Sequence, residues 1–465
     1  MSLRGAKRQM TGQPPGQPGA QLELPFPSRG EAPRGRRSDE APTAASETES
    51  SGASGLLEAV LDSRNLKAAL KRVKGNKGSP GIDGMTVTEL PEYLRESWVC
   101  IREALLAGSY QPQPVRRQRI PKSGGGVREL GIPTVLDRFV QQALLQVLQP
   151  RIDPTFSEHS YGFRPGRGAH DAVRVAQRHV QEGRRFVVDV DLEKFFDRVC
   201  HDVLMERLSR RIPDRRVLRL IRRYLEAGVM ADGVVMERKE GTPQGGPLSP
   251  LLANVLLDEV DKELEKRGHA FVRYADDCNV YVRSRRAGER VMSLLRRLYA
   301  GLHLRVNESK SAVARATERT FLGFAFWVGP GRVVKRRVSP KALGAMKDRV
   351  RQITRRTRGR SLPRICEVLR SYLGGWNGYF RLSETPRVFS DLDEWIRHRL
   401  RAVQLKQWKQ GRTIYRELRA RGLSSLRAAQ VAANGRRWWK NSAMTIHGAL
   451  PNSLFATLGV PRLGA

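Results

Sequence analysis

The stretch that most limits what this chain can become is Phe271-Val272-Arg273-Tyr274-Ala275-Asp276-Asp277-Cys278-Asn279-Val280-Tyr281-Val282. Two β-branched and aromatic runs around a short polar break read as a β-hairpin, with Asp276 and Asp277 at its tip. Adjacent carboxylates repel each other and resist close approach unless a cation sits between them. Hard oxygen ligands on a rigid tip suit Mg²⁺. Asp is also common in ordinary turns, so an Asp-Asp pair gains meaning only from its flanking strands and from what the rest of the chain brings to it.

A second acidic strand supplies that context. In Arg185-Phe186-Val187-Val188-Asp189-Val190-Asp191-Leu192, the period of two puts Asp189 and Asp191 on one face. Phe186, Val188, Val190 and Leu192 take the other face. Carboxylates on so apolar a strand need compensation, because an unpaired buried charge is costly. Asp276 follows Asp191 by 85 residues, and a sheet can set the two strands side by side. Three carboxylates on one edge would hold two Mg²⁺ ions. One would activate a 3′-hydroxyl and the other would neutralise a triphosphate and its leaving pyrophosphate. Such catalysis depends on alignment and charge more than on a protein acid or base.

Charge bears directly on this reading. The chain has 465 residues, with 84 Lys+Arg against 47 Asp+Glu, a formal +37. A field of that sign and size calls for a polyanion, and nucleic acid is the usual one. Residues 341–465 hold 26 Lys+Arg against 7 Asp+Glu, over half of the net charge. Four cysteines without zinc spacing fit a reducing cytoplasm. No apolar run approaches a membrane span and no signal-peptide core opens the chain, so neither a membrane nor secretion is expected.

Residues 1–54, rich in Gly, Pro, Ser and Glu, read as a disordered leader. A helix pattern starts at Leu56 and ends in a Gly-rich basic loop, 74–84, which is either a phosphate contact or a solvated connector. Residues 116–130 read as a hairpin around a Gly turn. Lys122 and Arg128 on its arms would hold a triphosphate, although a charged surface hairpin has the same pattern. A long amphipathic helix follows Pro133. The loop Tyr161-Gly162-Phe163-Arg164-Pro165-Gly166-Arg167-Gly168 mixes aromatics with cations, as base stacking and phosphate pairing require. A helix carrying Phe195 and Phe196 is expected from Lys194. Residues 241–250, with three glycines and three prolines, should hold an irregular backbone close to something. A last palm-like strand pair is expected around 321–326. Beyond 341 the pattern is helical, basic and Trp-rich, its tryptophans serving core packing or stacking.

In this order, Gly81-Ile82-Asp83-Gly84, Tyr161 through Pro165, Asp191 through Asp197, Pro243 through Pro250, Tyr274 through Asp277, and Phe321-Leu322-Gly323-Phe324 resemble the motifs of bacterial group II intron-encoded reverse transcriptase/maturases. The resemblance spans about 56–465. It implies an α+β right-hand polymerase: fingers and palm over 55–335, a thumb or maturase X domain over 336–410, and a DNA-binding segment over 411–465. By position, Asp191, Asp276 and Asp277 match the metal-binding triad, while Asp189 falls outside it. Phe196 matches the aromatic that closes on the sugar 2′ position. Gln244 matches the glutamine beside the incoming nucleotide, Lys122 and Arg128 the finger residues on the triphosphate, and Lys310 a nucleotide-side lysine. Phe321-Leu322-Gly323 matches the segment near the primer end. The implied partners are intron RNA, a DNA primer or target, and dNTPs. No Cys-pair and His nuclease module follows the DNA-binding segment, so a short form priming from an existing 3′ end is expected. A CRISPR-associated or phage-defence reverse transcriptase, or a non-catalytic splicing chaperone, would be the alternatives.

Overall fold

The computed structural model describes residues 55–121, 127–231, 234–236, 240–242, 245–356, 359–444 and 446–464. The expected leader, Lys122, Gln244 and the side chain of Arg128 lie outside the described residues.

Two short helices open the fold, α1 (Leu56–Val60) and α2 (Ser63–Gly75), where the apolar pattern suggested one. The break has a local cause: Asp62 is extended, and its side chain accepts from the Arg64 amide to cap α2. Helix α3 (Leu90–Leu106) leads to an antiparallel hairpin, β1 (Val115–Pro121) and β2 (Val127–Ile132). Helix α4 (Val135–Ile152) follows, capped by Thr134, whose hydroxyl accepts from the Asp137 amide. Next come α5 (Ala169–Gln181), β3 (Phe186–Val190), α6 (His201–Ser209), α7 (Arg215–Glu226) and a small strand pair, β4 (Val229–Ala231) and β5 (Val234–Met236). This pair extends the first hairpin into a sheet ordered β2-β1-β4-β5.

The central sheet is ordered β6-β7-β3-β8, all antiparallel, from β6 (Ala270–Tyr274), β7 (Asp277–Val282) and β8 (Ala312–Arg315) around β3. Two helices, α8 (Ser249–Lys266) and α9 (Arg285–Gly301), complete this half. Alternation along the strands separates two cores. Val188, Val190, Phe271, Cys278 and Val280 face the first, shared with α1–α4 and α6–α9. Val187, Val272 and Tyr281 face the second, which includes α5 and runs on to Leu463.

The pair expected at 321–326 is real but does not belong to the central sheet. β10 (Phe324–Val328) pairs with β9 (Thr320–Phe321) on one side and β11 (Val334–Val338) on the other in a sheet of their own, and the 335/336 boundary falls inside β11. Helices α10 (Pro340–Ile353), α11 (Leu362–Phe380), α12 (Pro386–Gln407), α13 (Gly411–Ala420), α14 (Ser425–Ala433), α15 (Trp438–Met444) and α16 (Asn452–Thr457) finish the chain. The last segment folds back on α12. Arg401 Nε donates to the Leu450 carbonyl at 2.9 Å, and the Leu463 amide donates to Asp393 at 2.8 Å. Among the described residues no helix is long and apolar enough to cross a membrane.

Candidate active site

The tip of the β6–β7 hairpin is as tight as a chain allows. Tyr274 pairs with Asp277, leaving only Ala275 and Asp276 in the turn. Ala275 has φ +58°, a left-handed conformation that a residue with a Cβ adopts only when its surroundings impose it. The surroundings are identifiable. Arg273, fully buried, donates from Nη1 to the Ala275 carbonyl and to Asn254 Oδ1, each at 2.9 Å. Its other donors grip Asp261 at 2.6 to 2.9 Å. Asn254 in turn donates to the Gly162 carbonyl at 2.9 Å. Gly162 is pressed so close to the turn that a Cβ there would lie 2.2 Å from the Ala275 nitrogen.

The 161–168 loop is therefore a buttress, and its expected role in stacking and phosphate pairing is corrected for most of its members. Tyr161 is buried, and its amide bonds to the Arg273 carbonyl. Arg164 is buried on Asp153 at 3.0 Å and on the carbonyls of Ser157 and Ser160. Only Phe163 among its aromatics is exposed, at the mouth of the site.

β3 runs beside β7 with Asp189 opposite Asn279 and Val190 opposite Cys278. Continuing that register brings Asp191 level with Asp277 on the same face. Ser311 Oγ accepts from the Asp191 amide at 3.0 Å, and the Asn307 amide donates to the Asp191 carbonyl at 2.8 Å. Asp189 is neutralised by Arg319, with Nε 2.7 Å from Oδ2. Lys310 Nζ lies 3.2 Å from Asp191 Oδ2. Asn279 Nδ2 donates to Asp277 Oδ1 at 3.3 Å.

Burial, and then the charges of Asp189, Asp276 and Asp191, push the Asp277 carboxyl up to about 8, with Arg319 only partly opposing. Among the described residues no three such side chains already close into a metal cage; Asp191 is turned to Lys310 and Asp189 to Arg319. The donor set nevertheless fits a hard divalent cation, since acidic oxygens crowded beyond what their own cations neutralise are what such an ion relieves.

A cleft of about 800 Å³ opens over this face. Asp191, Asp276, Phe196 and Lys310, four of the residues expected from sequence, line it together, with Arg117 from β1, which sequence reasoning passed over. Arg117 stands in the basic run 116–119, which was the available signal. The helix expected from Lys194 is corrected to a 3₁₀ turn, Phe195–Asp197, with the next helix starting only at His201. Lys194 is left-handed at φ +48°, and the Phe196 carbonyl accepts from the Thr242 amide at 2.7 Å, so it cannot continue a helix. This contact explains the glycine at 241. Gly241 has φ +91°, and a Cβ there would meet the carbonyl oxygens of Phe196 and Asp197 at 2.9 Å. Gly241 and Thr242 thus pack against the turn that aims Phe196.

Residues 320–324 meet the C-terminal helices directly. Tyr379 Oη donates to the Leu322 carbonyl at 2.9 Å, and Phe324 packs on Tyr379 and Phe380.

A cleft floored by an acid-tipped hairpin, walled by a finger hairpin and followed by a helical domain is the palm of a right-hand polymerase. The family matches agree with this geometry: Reverse transcriptase (RNA-dependent DNA polymerase) over 120–326, and Group II intron, maturase-specific domain, over 343–422. The chain thus carries a reverse transcriptase domain followed by a group II intron maturase-specific domain. It is 39% identical to Protein YkfC of Escherichia coli over 218 residues, 46% of this chain and 57% of that protein. It is 36% identical to Group II intron-encoded protein LtrA of Lactococcus lactis over 195 residues, 42% of this chain and 32% of that protein. Similarity to Putative COX1/OXI3 intron 1 protein of Saccharomyces cerevisiae runs further, 26% identity over 80% of this chain and 49% of that protein. The chain thus spans about a third to just over half the length of these relatives.

Proposed function

We propose that this chain is an RNA-directed DNA polymerase that binds group II intron RNA, assists its splicing and copies it from a DNA primer. The observation that carries the reading is the convergence of Asp191, Asp276 and Asp277 on one sheet edge, where burial first, and then the neighbouring carboxylates, push Asp277 up to about 8.

In this reading the three carboxylates are the metal ligands, and two Mg²⁺ ions, when bound, would activate the primer hydroxyl and balance triphosphate charge. Arg273, Asn254 and Gly162 keep the turn from yielding, so the acids stay aligned without reorganisation. Phe196, held by its turn at the cleft wall, closes on the sugar 2′ position and favours deoxynucleotides. Lys310 exchanges Asp191 for the nucleotide phosphates. Lys122, Arg128 and Gln244 keep the nucleotide-side roles that the family resemblance gave them. Residues 55–335 act as fingers and palm, 336–410 as thumb and 411–465 as a DNA-binding segment. The surplus of cations beyond 341 grips intron RNA and target DNA.

Primer extension on an RNA template with Mg²⁺ and dNTPs tests the proposal. Wild type should give full-length DNA and Asp277→Asn none. Equal absence of product from both, with intron RNA still bound, would leave a splicing chaperone and sink the polymerase.

A further inference from the structure

The far end of the central sheet carries a second cleft, also of about 800 Å³, unrelated to the acids. Six arginines line it: Arg184, Arg267, Arg283, Arg286, Arg290 and Arg297. One carboxylate, Glu289, shares the lining and is engaged by Arg285 at 3.4 Å.

The pairing pattern along α9 is informative. Arg285 and Arg296 both have acidic partners, Glu289 and Glu308. Arg286, Arg290 and Arg297 follow one another at near-helical spacing along a different stripe of the helix, all exposed. Among the described residues neither these three nor the exposed Arg283 has an acidic partner within salt-bridge distance. A surface arginine needs no partner in water. Four of them gathered around one cleft nevertheless repel one another, whereas the fold sets an acid beside Arg285 and another beside Arg296.

Position separates the cleft from the polymerase site. Val282, in its lining, ends β7, and Asp277 begins it, about 17 Å away along the strand. Helix α9 also covers the opposite face of the sheet from the acids. A Cβ on Gly288 would meet Val313, Val188 and Val282, and Val291, Met292 and Leu295 are buried in the first core. A primer–template held at Asp191 and Asp277 does not pass over this surface.

We propose that this reverse-side cleft is a second nucleic-acid surface, which takes the phosphate backbone of a helical RNA segment. The row from Arg286 to Arg297 runs about 16 Å along the helix, long enough for several phosphates and too long for one small anion. All the cations are arginine, whose fork pairs phosphate bidentately. The surface is separate from the polymerase reading and stands without it.

The test compares R283A/R286A/R290A/R297A with a control, R210A/R222A/R285A/R296A, which removes as many charges from arginines that already have acid partners. The probe is a blunt RNA duplex without a primer end, titrated against the full-length protein at several salt concentrations. The cleft variant should bind at least about tenfold more weakly, with a log K versus log salt slope shallower by about 2 to 4, while primer extension stays at the wild-type rate. The control should keep most of its affinity. Equal loss in both variants would reduce the effect to net charge and overturn the proposal. No loss in either overturns it as well. So does a cleft variant that keeps RNA affinity but loses binding to polyglutamate or to phosphatidylserine vesicles, which would make the surface an acidic-protein or membrane contact.

Discussion

The two ends of β7 carry opposite charge and manage it differently. At the Asp277 end, carboxylates are crowded on a half-buried face, and the chain fixes each of them. Arg319 takes Asp189, Lys310 takes Asp191, and a buried arginine immobilises the turn beneath Asp276. At the Val282 end, Arg184 and Arg267 pair with Glu182 and Glu263, while Arg283, Arg286, Arg290 and Arg297 stand exposed with no acid beside them among the described residues. Repulsion between exposed charges is screened and weak, so the second arrangement costs the fold little. Repulsion at the buried tip is not screened, and only a rigid scaffold keeps it. The contrast teaches which end is built for geometry and which for adhesion: exact placement matters at the acids, and total charge matters at the arginines.

The sharpest way to break the comparison is at Asp277. Asp277→Asn should lower primer extension by about a thousandfold or more, as loss of a metal ligand does. The same substitution should stabilise the metal-free protein. A carboxyl whose folded-state value stands near 8 instead of 3.8 contributes stability below the lower figure and loses it as pH rises toward the higher one. Melting curves without divalent ions should therefore show wild type falling between pH 4 and 8, with the variant falling less. A steeper fall in the variant would refute the crowding.

Arg273→Met comes next. Leaving Asp261 buried and unpaired should cost about 3–5 kcal/mol in denaturant unfolding. Adding Asp261→Leu should restore much of that stability, because an apolar pair can replace a buried ion pair. Activity should stay low in the double variant, since the Ala275 carbonyl has still lost its donor. Recovery of both together would make Arg273 a packing residue only.

Phe196→Ala should raise ribonucleotide use relative to deoxynucleotide use by about ten- to a hundredfold, read as a ratio of kcat/KM values. Lys310→Ala is the mildest. Its ion pair with Asp191 is exposed, so melting should barely change, while KM for dNTPs rises a few-fold. A large loss of stability would place Lys310 in the scaffold and out of the substrate path.

Much of the palm was legible in the sequence because a strand declares its faces by alternation. Asp189, Asp191 and Asp277 share a face for that reason, and apolar residues of β3 and β7 occupy the other as expected. What stayed hidden depends on atoms distant in the chain. Nothing local marks Arg164 as a buried strut, because its partners Asp153, Ser157 and Ser160 become partners only when the loop closes. Phe195 and Phe196 suit a helix by composition, and only the amide of Thr242, 46 residues on, turns them into a 3₁₀ turn. Arg273 was visible in the hairpin, but its role required Asp261 and Asn254 on the facing helix. The reverse-side arginines were visible singly. Their common cleft needed Arg184 and Arg267 to be brought beside α9.

The second core reaches from Tyr161 to Leu463 without interruption, and this has a consequence for how the molecule comes apart. Ile446, Leu450 and Phe455 are buried in that core beside residues of α12 such as Ile396 and Leu400. A protease nick near residue 410 would therefore release no freely folding tail; both fragments would stay clasped or collapse together. The basic C-terminal segment is thus no appendage to be trimmed away. It is a keystone of the helical half, sharing one core with α11, whose Tyr379 donates to the Leu322 carbonyl.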